Sequence, residues 1–150
     1  MVQDIPNSDD PFNLRRFISA QDGTYEKALG EIKSGRKRSH WIWFIFPQFA
    51  GLGTSSTNRH YSIKSLEEAR QYLAHPLLGR RLIECSEAVL AIEGRSISEI
   101  FETPDDLKLR SSMTLFANVA KPGSIFSLVL EKYFLGLPDS RTLQLIDRLD

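Results

Sequence analysis

Residues 78–92 read LGRRLIECSEAVLAI, and apolar side chains recur in this stretch at the spacing of one helix face. Leu78, Leu82, Cys85 and Val89 lie three or four positions apart, which is the period of an amphipathic helix. No strict alternation of apolar and polar residues runs over several positions elsewhere, although the pattern is compatible with a small strand pair. We therefore predict an all-α fold, a single compact domain of roughly seven or eight helices. It would span residues 10–150, after a flexible N-terminal lead of residues 1–9.

Capping residues mark the predicted helix boundaries. Residues 65–68 and 96–99 both have the Ser-x-x-Glu pattern of a capping box. Asp10 followed by Pro11 predicts an N-cap with proline at the first helical position. Gly35 is placed to end a helix, and Asp139 is placed to cap the final one.

Composition excludes several classes of protein. The chain has 150 residues, and 19 Lys plus Arg balance 19 Asp plus Glu, so no overall positive field attracts nucleic acid or an anionic membrane. The longest apolar run extends only from Trp41 to Phe46, whereas a membrane helix needs about 20 residues. Cys85 is the single cysteine, and residues 1–10 have neither the basic start nor the apolar core of a secretory signal, so we expect none. We expect a cytoplasmic protein.

Residues 36–48, RKRSHWIWFIFPQ, are the most unusual part of the chain, because a basic cluster runs directly into apolar residues. In one interpretation, this stretch is a central core element whose basic start is solvated. In the other, Trp41, Trp43 or Phe46 forms a stacking wall for a planar ligand. Arg38 and His40 would then lie beside the anion that such a ligand carries. Both interpretations remain open.

The next segment, residues 51–56, reads GLGTSS and is either a plain loop or a loop whose backbone N–H groups approach a phosphate. It lacks the Gly-Lys-Ser/Thr ending of a P-loop. Arg59 and His60 follow closely and are within reach of the same region. Gly51, Gly53 and Arg59 are therefore candidate binding residues.

Residues 105–116, DDLKLRSSMTLF, place Ser111, Ser112 and Thr114 inside a predicted helix, where hydroxyl side chains are disfavoured. Small residues at these positions favour close helix packing. Alternatively, together with Arg110 they line a polar cavity. Arg110 also has an acidic residue, Asp106, four positions earlier, which would make an ordinary helical ion pair.

Four motifs in order resemble the bacterial domain of unknown function family 1810. They are HWIWFIFPQ (residues 40–48), GLG (51–53), HPLLG (75–79) and KLRSSMTLF (108–116). The resemblance extends over about residues 10–149 and implies a mostly helical single domain. The family assigns no catalytic or binding residue, so the candidate site rests on the residues themselves.

These residues are compatible with two functions, small-molecule binding and protein interaction. The first is a site for a small anionic or nucleotide-like metabolite between the 36–61 region and the 108–114 helix. The second is a non-catalytic protein-interaction module with a flat, partly apolar surface. Neither specifies a reaction or a cofactor, and the three histidines lack the spacing of metal ligands. The candidate binding residues are Arg38, His40, Trp41, Trp43, Gln48, Gly51, Gly53, Arg59, Lys108, Arg110, Ser111, Ser112 and Thr114.

Overall fold

The computed structural model describes residues 9–149, and over this range the chain is mostly helical. The ten helices in it are α1 (Arg15–Gln21), α2 (Tyr25–Lys33), α3 (Ile42–Ile45), α4 (Ser56–Tyr61), α5 (Leu66–Ala74), α6 (Leu78–Ala91), α7 (Ile97–Ile100), α8 (Asp105–Ala117), α9 (Ile125–Phe134) and α10 (Ser140–Leu149). The predicted number of helices was wrong, because α3 and α4 are too short to show a helical period. Except for Asp9, the predicted lead over residues 1–9 lies outside the described residues.

Helix α6 buries the apolar stripe that the sequence predicts. Leu78, Leu82, Cys85 and Val89 are all buried, and α6 packs against α2, α5 and α9. A Cβ atom on Gly79 would lie 2.0 Å from the carbonyl oxygen of Leu73. Glycine at this position therefore allows the start of α6 to approach α5 closely.

Helix α8 is buried on nearly every side, and it contacts α5, α7, α9 and α10. Leu109, Met113 and Phe116 are fully buried, and Ser112 and Thr114 are buried beside them. The hydroxyl residues of this helix therefore lie inside the protein and not on a solvated face. This burial explains why no apolar stripe is visible in its sequence.

Two of the predicted boundaries differ in detail. Helix α1 begins at Arg15, not at Pro11. The carboxylate of Asp10 accepts hydrogen bonds from the backbone N–H groups of Leu14 and Arg15, at 2.7 and 3.1 Å, and so it caps the chain one turn later than predicted. The predicted capping box at residues 65–68 is only half formed. Ser65 caps α5, but Glu68 accepts from the backbone N–H of Lys64 instead of that of Ser65.

Three other predicted caps are confirmed. Ser96 and Glu99 form a reciprocal capping box at α7, and the carboxylate of Asp139 accepts from Thr142 N at the start of α10. Gly35 follows α2 with a positive φ of 85°. A single parallel bridge, Phe49 to Ile63, is the β-structure in the described range. None of the helices described is long and apolar enough to span a bilayer.

Candidate functional site

A cleft of about 340 Å³ lies between residues 37–43 and residues 102–108, and we call it the lysine cleft. Its volume is at the lower end of the range for small-ligand pockets, about 300–1,000 Å³. The charged or titratable side chains on its walls are Lys37, Arg38, His40, Glu102, Asp105 and Lys108. The cleft thus joins the basic cluster of the sequence to the first turn of α8.

The lysine cleft has more cations than carboxylates to pair with them. Lys37 Nζ lies 2.7 Å from Asp105 Oδ2, and Lys108 Nζ lies 3.6 Å from Asp105 Oδ1. Glu102 pairs with Arg36 at 4.0 Å. Arg38 is exposed, and within residues 9–149 no carboxylate lies at ion-pair distance from its guanidinium. One carboxylate therefore serves two ammonium groups, and a third cation beside them is unpaired.

Glu31 determines the shape of the loop that carries Lys37 and Arg38. Its Oε1 accepts from the backbone N–H groups of Arg38 and Ser39 at 2.8 and 2.9 Å. The same oxygen accepts from Trp41 Nε1 at 2.9 Å, and Oε2 accepts from Ser39 Oγ at 2.6 Å. Glu31 is only 8 % exposed. Its position in the last turns of a helix is typical of a solvated acid, so no signal in the sequence identifies it.

The pKa of Glu31 reflects this set of donors. Burial by itself raises the pKa of the carboxyl group. The hydrogen bonds from Ser39, Arg38 and Trp41 outweigh burial and lower the pKa to about 2. Glu31 is therefore ionised at neutral pH and holds the loop through charge-assisted hydrogen bonds.

The two tryptophans of the apolar stretch have different environments. Trp41 is fully buried, and its ring packs edge-on against Phe101 with a centroid separation of 6.1 Å. Trp43 is half-buried on the wall of the lysine cleft, with Lys108 Nζ 4.9 Å from its ring centroid. One tryptophan of this stretch therefore lies in the core, and the other lies on the cleft wall.

A second cleft of about 250 Å³, which we call the amide cleft, shares Pro104 and Lys108 with the lysine cleft. Gln48 Nε2 donates to Ser111 Oγ at 2.6 Å, and Asn58 Nδ2 lies 3.4 Å from Gln48 Oε1. The 36–61 region and α8 therefore meet at Gln48 and Ser111. The remaining lining residues are Leu52, Gly53, Leu107, Asp139 and Arg141.

Comparison with known proteins identifies the family. Residues 11–146 match the family described as "Protein of unknown function (DUF1810)". The chain belongs to this family. It is also similar to the crystal structure, at 1.38 Å, of the conserved hypothetical protein Rv1873 from Mycobacterium tuberculosis. The two share 52 % identity over 92 % of this chain and 99 % of the other, with a TM-score of 0.90. The comparison with curated proteins gave no match.

The resemblance expected from the four sequence motifs is therefore confirmed, and the solved relative supports a mostly helical fold for this DUF1810 chain.

Three candidate residues on α8 of this DUF1810 chain, Arg110, Ser112 and Thr114, do not line the lysine cleft or the amide cleft. Arg110 does not pair with Asp106; its Nε donates to the carbonyl oxygen of Leu137 at 2.9 Å. Thr114 Oγ1 donates to the carbonyl oxygen of Arg110 and accepts from Asp139 N, both at 2.8 Å. These contacts attach the start of α10 to α8. Ser112 is buried, and its hydroxyl has no hydrogen-bond partner among the described residues.

Two further candidates lie on the surface. Gly51 is exposed with a φ of 101°, and a Cβ atom there would contact the side chain of Leu145. Arg59 is exposed in the last turn of α4, and its carbonyl oxygen accepts from Ser62 Oγ. The lining residues of the lysine and amide clefts include neither of them.

A third cleft, of about 450 Å³, surrounds Arg16, and we call it the arginine cleft. Arg16 Nη2 lies 2.6 Å from Glu68 Oε2, and the two side chains are 7 % and 3 % exposed. Every nitrogen of this guanidinium donates to the protein; the backbone carbonyl acceptors belong to Phe12, Asn13, His60 and Ser62. Every guanidinium nitrogen of Arg16 therefore has an acceptor, and the side chain holds α1 against residues 60–68. No motif in the sequence indicated this contact.

Cys85 is buried in the α6 stripe, as its spacing predicted. Burial raises the pKa of its thiol to about 12, so the thiol stays protonated and unreactive at neutral pH. The described residues also contain no cluster of three side chains suited to hold a metal ion.

Proposed function

We propose that this DUF1810 protein binds a small anionic metabolite in the lysine cleft. The observation that carries the proposal is the excess of cations: Lys37 and Lys108 share the carboxylate of Asp105, and Arg38 beside them is unpaired within the described range. A phosphate or carboxylate group in the cleft would give Lys108 and Arg38 charge-assisted hydrogen bonds. Such bonds are about twice as strong as those between neutral groups.

The cleft wall also favours a ligand with a planar part. Trp43 is half-buried there, and its ring offers an apolar surface next to the cations. Lys108 already lies over this ring, at a distance typical of a cation–π contact. A nucleotide has both a phosphate group and a planar base, so it is the metabolite class that fits this wall best.

A thermal-shift series with inorganic phosphate and AMP tests the proposal. A ligand at a hundred times its Kd stabilises the folded state by about 2.7 kcal/mol, which is roughly 5–10 °C for a domain of this size. We expect Arg38→Gln to weaken binding by about tenfold, the loss of about one charge-assisted hydrogen bond. Arg80→Gln is the matched control, because Arg80 is an exposed arginine on α6 outside the cleft. Equal responses of the two variants would contradict the proposal.

The second candidate function, a protein-interaction module, is favoured by one surface. Leu135 and Leu137, in the turn between α9 and α10, are 87 % and 56 % exposed. Apolar side chains this exposed are typical of contact surfaces when they lie together. If a second copy of the chain docks there, sedimentation velocity will show a dimer that Leu135→Ser disrupts. A monomer over the whole concentration range would exclude this mode of association.

A further inference from the structure

We infer that the ligand is bipartite: its anionic group occupies the lysine cleft, and an uncharged, hydroxyl-bearing ring occupies the amide cleft. The ligand class would then be a sugar phosphate or a nucleotide, bound through its sugar as well as its phosphate. This inference rests on the proposed anion site and specifies its substrate class.

The side chains of the amide cleft suit hydroxyl groups. Gln48 and Asn58 bring two carboxamides to the same wall, so the wall offers both donors and acceptors. The hydroxyl of Ser111 beside them is already paired with Gln48 and with the carbonyl oxygen of Lys108. Gln48 donates one of its N–H bonds to Ser111, and Asn58 Oδ1 accepts no hydrogen bond within residues 9–149. A sugar hydroxyl both donates and accepts, and it can therefore satisfy the groups that the protein leaves available.

Gly53 is needed for this arrangement. A Cβ atom on residue 53 would lie 2.6 Å from Cγ, 2.7 Å from Nδ2 and 2.9 Å from Oδ1 of Asn58. Any larger residue would push the amide of Asn58 away from Gln48. The glycine thus keeps the amide of Asn58 at the cleft, and the reason is the space it leaves rather than its backbone conformation.

The two clefts are placed to hold one ligand. Pro104 and Lys108 line both of them, so the cation that faces the anionic group also borders the amide cleft. At about 250 Å³ the amide cleft is smaller than a typical complete ligand pocket of about 300–1,000 Å³ and suits part of a molecule. Apart from Lys108, which both clefts share, its charged lining residues are Asp139 and Arg141, whose charges are opposite, and this favours an uncharged group. Leu52 and Leu107 add apolar surface for the face of a ring.

Calorimetric titrations with inorganic phosphate and ribose 5-phosphate test the inference. We expect the wild-type protein to bind ribose 5-phosphate about tenfold more tightly than phosphate, since a few added hydrogen bonds are worth that factor. Asn58→Ala should remove most of this preference and leave the Kd for phosphate unchanged. Gly53→Ala should act in the same way by displacing the amide of Asn58. Gln144→Ala, which replaces an exposed amide on α10, is the control.

The outcomes separate the two proposals. If phosphate binds in an Arg38-dependent manner but Asn58→Ala and Gly53→Ala keep the preference for ribose 5-phosphate, the bipartite ligand is wrong and the anion site stands. If neither compound binds, the proposed function fails and the inference fails with it. If ribose 5-phosphate binds independently of Arg38 but depends on Asn58, the anion site is wrong and the amide cleft alone binds the sugar.

Discussion

The lysine cleft and the arginine cleft both place a cation within 2.7 Å of a buried or half-buried carboxylate, yet they differ in what remains available. In the arginine cleft, Glu68 and four backbone carbonyl groups use every nitrogen of Arg16. In the lysine cleft, Asp105 is shared by two lysines and Arg38 is unpaired within residues 9–149. The structural cation is therefore buried with a partner for every guanidinium nitrogen, whereas the cation available to a ligand is exposed and has no carboxylate partner within the described residues.

The largest expected effect is the loss of the structural cation. Arg16→Met removes the partner of Glu68 and leaves a buried carboxylate unpaired, so we expect the free energy of unfolding to fall by about 3–5 kcal/mol. Urea denaturation followed by circular dichroism measures the change. Arg15→Met is the control on the same helix, because the side chain of Arg15 is 61 % exposed. An effect of Arg16→Met no larger than that of the control would show that the arginine cleft is not a structural clamp.

The next largest effect concerns the carboxylate that shapes the lysine cleft. The pKa of Glu31 is about 2 in the folded protein, below its ordinary value of 4.5, so ionised Glu31 stabilises the fold above pH 4.5. This contribution, about 3 kcal/mol, is lost as the pH falls from about 4.5 towards 2. We expect Glu31→Gln to lose stability at pH 7 and to approach the wild type in acid. Glu87→Gln, at an exposed position on α6, is the control.

Urea denaturation at pH 7 and pH 3 makes this comparison. If the free energies of unfolding of the wild type and Glu31→Gln differ by the same amount at both pH values, the charge of Glu31 does not stabilise the fold.

The smallest expected effect is a gain of affinity. Asp105→Asn removes the carboxylate that Lys37 and Lys108 share, so an incoming anion no longer competes with it. We expect the variant to bind inorganic phosphate roughly three- to tenfold more tightly, the effect of about one screened ion pair. Calorimetry measures the Kd, and Asp147→Asn, at an exposed position on α10, is the control. Weaker binding by Asp105→Asn would show that Asp105 orients the lysines for the ligand instead of opposing it.

Local patterns were enough to predict the helices that have an apolar stripe or a capping signal. The stripe from Leu78 to Val89 predicted α6, and the capping residues Ser96 and Asp139 predicted the starts of α7 and α10, because these signals depend on neighbours a few positions away. Helices α3 and α4 were missed for the same reason. The first lies inside a run that is apolar throughout, and the second lies in a polar segment with the composition of a loop.

The candidate site was predictable only in part. Unusual composition marked Arg38, Trp43 and Lys108, which the structure places on one cleft. Asp105 acts through Lys37, which is distant in the chain, and Glu31 acts through a loop seven to ten residues later. An acidic residue on a helix has no local feature that reveals either role. Arg110 is the opposite case. Its place beside the hydroxyl residues of α8 suggested a role in ligand binding, but its side chain contacts the turn before α10.

The most direct test of the account is to map where a small anion binds. In ¹H–¹⁵N correlation spectra of the wild-type protein titrated with sodium pyrophosphate, we predict saturable shifts of the backbone amides of residues 37–43 and 102–108 and of the indole N–H of Trp43. The amides of residues 12–16 and 60–68, around Arg16, should remain unchanged. Saturable shifts centred on the arginine cleft, or weak non-saturating shifts spread over exposed lysines, would contradict the claim that the excess of cations over carboxylates makes the lysine cleft the binding site.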